Sequence, residues 1–229
     1  MRWRQGDRVM KAMILAAGRG ERLRPLTDSL PKSLIEVQGK PLIVHHLEAL
    51  SRAGFSEVVI NLSWLGDQIR ALLGNGDAFG LTIEYSEEQP EALETAGGIV
   101  QALPLLGERF VVVNADIFTD YDFANLKQDS VAHLVLVENP RHHADGDFTL
   151  TESTIGTEGS PRYTFSGISQ YHRSFFARLS SGKQALAPLL FAAAAKQQVT
   201  GELFLGTWGD IGSAERLANL NHELGQLPE

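Results

Sequence analysis

The chain has 229 residues, 43% of them hydrophobic and 21% charged, which is enough apolar material for one compact α/β domain, or one domain with a small lobe, and too much for a disordered chain. It contains no cysteine, which excludes disulfides and thiolate chemistry and suits a cytoplasmic protein; no apolar run approaches the ~20 residues of a membrane span, and MRWRQGDRV lacks the apolar region of a signal peptide. The net charge of −8 argues against a general nucleic-acid binder, and the positive charge that exists gathers around one early loop.

Residues 1–9 read as an N-terminal extension, and residues 10–229 as a single domain. The domain opens with a brief apolar run, Met13 to Ala17, that lacks helical periodicity and stops at Gly18, which predicts a buried strand. In the loop that follows, Gly18 and Gly20 permit positive φ and expose backbone amides, while Arg19, Arg22, Arg24 and Lys32 supply cations. Such a loop suits a polyphosphate. The third glycine of the dinucleotide fingerprint and the Gly-Lys-Ser/Thr of a P-loop are both absent, and an ordinary strand-to-helix turn with solvated arginines satisfies the same spacing.

A helix is predicted from Pro41-Leu42 through Ala53, with Leu42, Ile43, Leu47 and Leu50 on one face. A strand over Val58 to Ile60, a helix over Leu65 to Leu73 and a strand over Leu81 to Tyr85 follow. This alternation predicts a doubly wound, mainly parallel sheet whose ligand site lies beyond the carboxyl ends of its strands, where the first loop sits. His45 and His46 lie within the first helix without metal-ligand spacing and read as a partly exposed pair.

Glu87 to Ile99 runs from polar loop residues into Thr95-Ala96-Gly97-Gly98. There small side chains let a flat ring approach the backbone, Thr95 can cap a helix, and Glu87 or Glu88 can meet the ring. The strand Phe110 to Val113 ends in Asn114-Ala115-Asp116. A carboxylate at that edge faces the site and suits a Mg²⁺ ion that bridges phosphates, although it could equally cap a turn. After a strand over Val131 to Val137, His142 and His143 read as solvated loop residues. Trp208-Gly209-Asp210-Ile211-Gly212 lies between a strand over Glu202 to Leu205 and a helix over Ala214 to Leu220.

LAAGRGERLRPLT, with PKSLIEVQGKPLI after it, resembles the signature of the nucleotidyltransferases that join a sugar 1-phosphate to a nucleoside triphosphate. That family usually carries L-A-[AG]-G-x-G-[ST]-R-[LM]-x-P-[LM]-T, P-K-x-[LM] and K-P-[LM]-[IL], and Glu21 departs from it where Thr or Ser is usual. ETAGGI, the aspartate ending the NAD segment and WGDIGS are similar to later family motifs, so the resemblance covers nearly the whole chain from Lys11 onward.

The resemblance implies a nucleotide-diphospho-sugar transferase fold with a small sugar-binding lobe. It implies nucleotide contacts from Leu15, Ala16, Ala17, Gly18, Gly20, Glu21, Arg22, Lys32, Glu88, Thr95, Gly97 and Gly98. Asn114, Gly146, Asp147, Ser166 and Gly167 would face the sugar. Arg22, Lys32, Asp116 and Asp210 would be catalytic, with Asp116 and Asp210 holding Mg²⁺ as its two protein ligands.

The frequent E-K-P segment of the family is missing, and the stretch from Leu150 to Arg162 is short. With LAAG and YTFSGI, these features bring the chain nearest to the short bacterial uridylyltransferases of cell-wall recycling, which implies UTP and N-acetylmuramic acid 1-phosphate as substrates and a monomer or small homo-oligomer. Guanylyltransferases acting on heptose or mannose 1-phosphate, phosphocholine cytidylyltransferases and a non-catalytic sugar-nucleotide sensor are the alternatives.

Overall fold

The computed structural model describes residues 11–88, 92–126 and 130–226, so the expected N-terminal extension lies outside the described residues. The first half of the chain alternates as predicted: β1 (Lys11–Leu15), a small hairpin of β2 (Glu36–Val37) and β3 (Lys40–Pro41), α1 (Leu42–Arg52), β4 (Glu57–Leu62), α2 (Gly66–Leu73), β5 (Thr82–Glu87), α3 (Glu94–Ala102) and β6 (Arg109–Asn114). Next come β7 (Ile117–Thr119), β8 (Ala132–Val137), β9 (Phe148–Thr151), β10 (Thr154–Gly156), β11 (Arg162–His172), α4 (Ala187–Ala194), β12 (Thr200–Phe204), β13 (Trp208–Asp210) and α5 (Ala214–Leu224). Thr95 falls inside α3, which Leu93 precedes, so it is not the cap that its position suggests. Trp208 to Asp210 is itself a strand, paired with β7, rather than a strand's trailing loop.

One sheet in the order β5-β4-β1-β6-β11-β8-β12-β10-β9 carries the fold. β5, β4, β1 and β6 pair in parallel because a helix returns the chain between successive pairs. The expected parallel sheet is confined to this half and to the β8–β12 pair. β11 runs antiparallel to both β6 and β8, because no α-helix intervenes between β8 and β11 to carry a parallel crossover.

Both faces of the parallel half are covered, so its strands are continuously apolar. The period of two sends Ala12 and Ile14 of β1 into one core with Ile43, Leu47 and Leu50 of α1, and Met13 into the opposite core with Ile99 and Ala102 of α3. Each such Leu or Ile contributes roughly 1.5 to 3 kcal/mol by leaving water. His46 belongs to this packing: it is 2% exposed on the inner face of α1, which corrects the expectation of a partly exposed pair. A third cluster joins Leu23, Ile35, Val37 and Leu42 to Ile211 and Leu220, and so fastens α5 beneath the first loop. Gln38 adds two hydrogen bonds to Asn221.

Candidate active site

A cavity of about 470 Å³ opens at the carboxyl ends of β1, β4 and β6. Register sets its edge, since Leu15 stands opposite Asn61 on one side and Asn114 on the other. Leu15, Ala16, Ala17, Gly18, Gly20, Glu21 and Arg22 form one wall, and Lys32, Glu88, Thr95, Asn114 and Asp116 also line it.

Gly20 has φ 69°, and a Cβ there would come within 3.0 Å of Thr27 Cγ2, so the turn requires glycine. Gly18 is not in the positive-φ region, contrary to expectation, and a Cβ on it would meet nothing within 4 Å. Its contribution is open space on the cavity side. The four cations of the loop also divide. Arg19 lies 4.3 Å over the Trp64 ring and Arg24 pairs with Asp28 at 3.1 Å, which leaves Arg22 and Lys32 as the cationic residues on the cavity wall among the described residues.

Glu88, rather than Glu87, reaches the cavity. Glu87 lies on the exposed end of β5 and pairs with Arg70 at 2.5 Å. Glu88 is 2% exposed; its Oε1 accepts from Asn61 Nδ2 at 2.6 Å and its Oε2 from Leu93 N at 2.7 Å, while Asn61 Oδ1 accepts from Ala16 N at 2.7 Å. This chain of bonds ties the first loop, β4 and the start of α3 into one rigid floor. Gly98 makes it possible, because a Cβ there would fall 2.3 Å from Glu88 Oε1. Gly97 likewise packs against Gly182 O, with its amide and that of Ala96 both donating to Gln184 O. Both glycines therefore shape the site from behind rather than line it, a correction to their expected contact role. Asn61 was missed by sequence reasoning, although a polar residue closing the apolar run VVIN was a usable signal.

Asp116 Oδ2 accepts from Lys32 Nζ at 2.5 Å, and Lys32 is largely buried. Asp210 stands opposite Ile117 in the β7–β13 pair, one residue from Asp116, and Ile211 N donates to Asp116 O at 2.8 Å. The two aspartates are thus brought together through backbone pairing across nearly a hundred residues of chain. Arg216 Nη1 holds Asp210 Oδ2 at 2.5 Å, and Gly212 leaves room for the guanidinium, since a Cβ there would fall 2.2 Å from that nitrogen. His142 Nε2 lies 3.0 Å from Asp210 Oδ1, so His142 is a neighbour of the site and not a solvated loop residue. His143 similarly reaches Asp147 Oδ1 at 3.0 Å. Behind this pair of strands, burial lowers the His46 pKa to about 4, opposed by a hydrogen bond that the ring donates to the Ile117 backbone.

Asp116 lines the cavity, Asp210 is its neighbour through the β7–β13 pairing, and hard carboxylates suit a Mg²⁺ ion. Asp210 Oδ1 is buried with only the His142 ring facing it, at 3.0 Å, and Lys32 already places a positive charge on Asp116 where a cation is wanted. Among the described residues no group of three or more His, Asp or Glu side chains gathers as a metal cage. The remaining ligands would have to be phosphate oxygens and water.

A second cavity of about 420 Å³ adjoins the first and shares Leu15, Glu94, Thr95 and Asn114 with it. Asp147 lines it, as expected of a sugar-facing residue, with Oδ2 accepting from Phe165 N. Gly146, Ser166 and Gly167 do not line it. Gly146 (φ 62°) backs onto Asn139, Ser166 Oγ is committed to Val135 O and Ile168 N at the bulge of β11, and Gly167 (φ 86°) lets that bulge pass Asn114. Trp208 Nε1 then donates to Ser166 O, which joins the WGD strand to the same bulge. These three residues support the cavity's rim.

A β1 glycine loop over a parallel sheet, two strand-edge aspartates and a cavity of about 470 Å³ that carries Arg22 and Lys32 define a nucleotide-handling α/β enzyme. Residues 11–135 match the nucleotidyl transferase family, and the chain belongs to that family. It is 51% identical to N-acetylmuramate alpha-1-phosphate uridylyltransferase of Neisseria meningitidis, over 91% of this chain and 95% of that one. A mannose-1-phosphate guanyltransferase of Hypocrea jecorina is 40% identical over 54% of this chain and 35% of its own length. In fold the chain is similar to a Bacillus anthracis protein described as a glucose-1-phosphate thymidylyltransferase, crystallised with sucrose (TM-score 0.81, 24% identity, covering 96% of this chain and 97% of that one).

Proposed function

We propose that this chain transfers the uridylyl group of UTP to N-acetylmuramic acid 1-phosphate, giving the UDP-sugar and pyrophosphate, as a cytoplasmic step of peptidoglycan recycling. The observation that carries the choice of base and sugar is the similarity to the Neisseria uridylyltransferase along almost the whole of both chains, where the guanyltransferase resemblance spans about half of this one.

The sugar phosphate oxygen attacks the α-phosphorus in line, the bond to the bridging oxygen breaks, and pyrophosphate departs with the electron pair. The nucleophile is already anionic, so positioning and charge neutralisation dominate and no strong general base is required. Arg22 and the first-loop amides hold the β- and γ-phosphates, Lys32 contacts the reacting phosphates, and the rigid Asn61–Glu88 floor seats the base beside Thr95. Asp116 and Asp210 would hold Mg²⁺, which when bound would supply charge neutralisation to the reacting phosphates.

Pyrophosphate release across the four nucleoside triphosphates and a panel of sugar 1-phosphates tests this reading. UTP with N-acetylmuramic acid 1-phosphate is expected to give the highest kcat/KM. Preference for GTP with mannose or heptose 1-phosphate would move the chain to the guanylyltransferases, and nucleotide binding without any release would make it a sensor.

A further inference from the structure

The first loop carries the cavity's cations but little regular structure of its own: between β1 and β2 the chain makes only short 3₁₀ turns, at Glu21–Leu23, Leu26–Asp28 and Lys32–Leu34. Three contacts from the segment after β4 fasten it. Trp64 Nε1 donates to Thr27 O at 3.1 Å, Gln68 Nε2 donates to Ser29 O at 3.0 Å, and the Arg19 guanidinium lies 4.3 Å over the Trp64 ring. Trp64 does not line the cavity, yet its hold passes inward. Thr27, 1% exposed, donates its Oγ1 to Gly20 O at 2.8 Å, and the same carbonyl accepts from Leu23 N at 2.9 Å, which closes the turn that carries Arg22. The indole reaches the loop because the chain bends sharply after β4, where Leu65 takes a φ of 55°, an uncommon conformation for so large a side chain.

We propose that Trp64 is a positioning residue for the triphosphate: its indole latches the first loop so that Arg22 and the loop amides stand ready for the β- and γ-phosphates. This inference rests on the uridylyl-transfer reading above. The end of β4 grips the loop near both of its ends, with Asn61 Oδ1 accepting from Ala16 N and the Trp64 indole bonded to Thr27 O. A loop that had to order itself around each incoming nucleotide would lose conformational freedom on binding, and the latch moves that loss into folding. Arg19 serves the latch rather than the phosphates, since its guanidinium is stacked on the indole. UMP has no β- and γ-phosphates and so makes no use of the latch, whereas UTP and pyrophosphate both depend on it.

The test is equilibrium binding of UTP and of UMP to the whole chain, by calorimetry in Mg²⁺ buffer, for wild type, Trp64→Phe, Trp64→Ala, Arg19→Ala and the Arg19→Ala, Trp64→Ala double variant. Trp64→Ala should cut the preference for UTP over UMP about tenfold, the worth of one hydrogen bond and one cation–π contact. Trp64→Phe keeps a ring beneath Arg19 and should cut it about threefold. Arg19→Ala should cut it about two- to fivefold alone and add almost nothing to Trp64→Ala, because the two side chains act as one contact. In steady state the KM for UTP and, in the reverse reaction, for pyrophosphate should rise by the same factors, while that for the sugar 1-phosphate stays unchanged. Melting temperatures report on folding; Arg19 is exposed, so Arg19→Ala and Trp64→Phe carry the test if Trp64→Ala unfolds. If the folded variants keep the wild-type preference, or weaken UTP and UMP alike, Trp64 supports only the fold and the inference fails, while the uridylyl-transfer reading survives. Losses that multiply in the double variant would place Arg19 on the phosphates and overturn its part in the latch. If wild type neither prefers UTP to UMP nor releases pyrophosphate from it, the uridylyl-transfer reading falls and this inference with it.

Discussion

The two halves of the sheet build their cavities by different means. The parallel half makes the nucleotide cavity from strand ends and backbone: Leu15, Asn61 and Asn114 fall in register at one edge, and a short polar chain from Ala16 N through Asn61 to Glu88 and Leu93 N locks that edge. The antiparallel half adds apolar side chains of β9, β11 and α4 to the second cavity, whose Glu94, Thr95 and Asn114 come from the wall shared with the first. The nucleotide side is thus preorganised by hydrogen bonds around a charged guest, while the second side is shaped by packing. Charge stabilisation should dominate what is lost by mutating the first, and discrimination what is lost by mutating the second.

The largest effect should come from the two aspartates. Asp116→Asn and Asp210→Asn are each expected to abolish metal-dependent turnover, and the double variant should lose little more, because either change disables the same ion. Turnover titrated against Mg²⁺, with thermal melts alongside, checks this. Additive melting losses of roughly 0.5 to 2 kcal/mol with an unchanged Mg²⁺ dependence would show two independent caps instead.

Next in size, Lys32→Ala and Arg22→Ala should each lower kcat by about 10²- to 10³-fold, the usual result of deleting a charge-stabilising donor. Steady-state kinetics on the folded variants decides it. Lys32→Ala carries the additional consequence that Asp116 loses its 2.5 Å counter-ion, so Mg²⁺ affinity without nucleotide should rise.

A middle range tests the floor itself. Asn61→Ala leaves both Ala16 N and Glu88 Oε1 without their bonds, which should cost about 1 to 3 kcal/mol of stability by denaturant unfolding and raise the KM for UTP more than that for the sugar phosphate. His46 gives a pH signature. Its folded-state pKa is depressed to about 4 by burial, so the unfolded chain binds the proton first as pH falls. Stability is therefore full above about pH 6.5 and declines toward pH 4, with a slope of up to about 1.4 kcal/mol per pH unit from this group. His46→Leu should flatten that part of the curve; an unchanged slope would mean that other groups govern it.

The smallest effect belongs to Glu87. Its ion pair with Arg70 is exposed, so Glu87→Ala should shift stability by less than about 0.5 kcal/mol and leave the KM for UTP alone, in contrast to Glu88→Gln. Parallel melts and kinetics of the two variants sharpen the distinction between neighbouring glutamates.

Local pattern was sufficient to identify the strands and helices of the parallel half, the glycine loop and the aspartate at the end of β6, because period, punctuation and charge are local properties that a short window of sequence carries. The Glu87/Glu88 choice, the burial of His46 and the engagement of His142 with Asp210 were not legible, since each depends on which way one residue faces within a folded environment. Gly97, Gly98, Ser166 and Gly167 were read as contact residues because small side chains suggest close approach. The structure shows that the close approach is by Gly182 O, Glu88, a bulge and Asn114.

By itself the sequence determined the family, the doubly wound half and the chemical character of the site, since these follow from residue types at short spacing. Only the tertiary structure decided that Arg216 and His142 engage Asp210, that two of four loop cations are committed elsewhere, and that a second cavity lies next to the first. The physical reason is that these features arise from pairing and packing between segments far apart in the chain, whose partners are chosen by the free energy of the whole fold and by nothing within either segment.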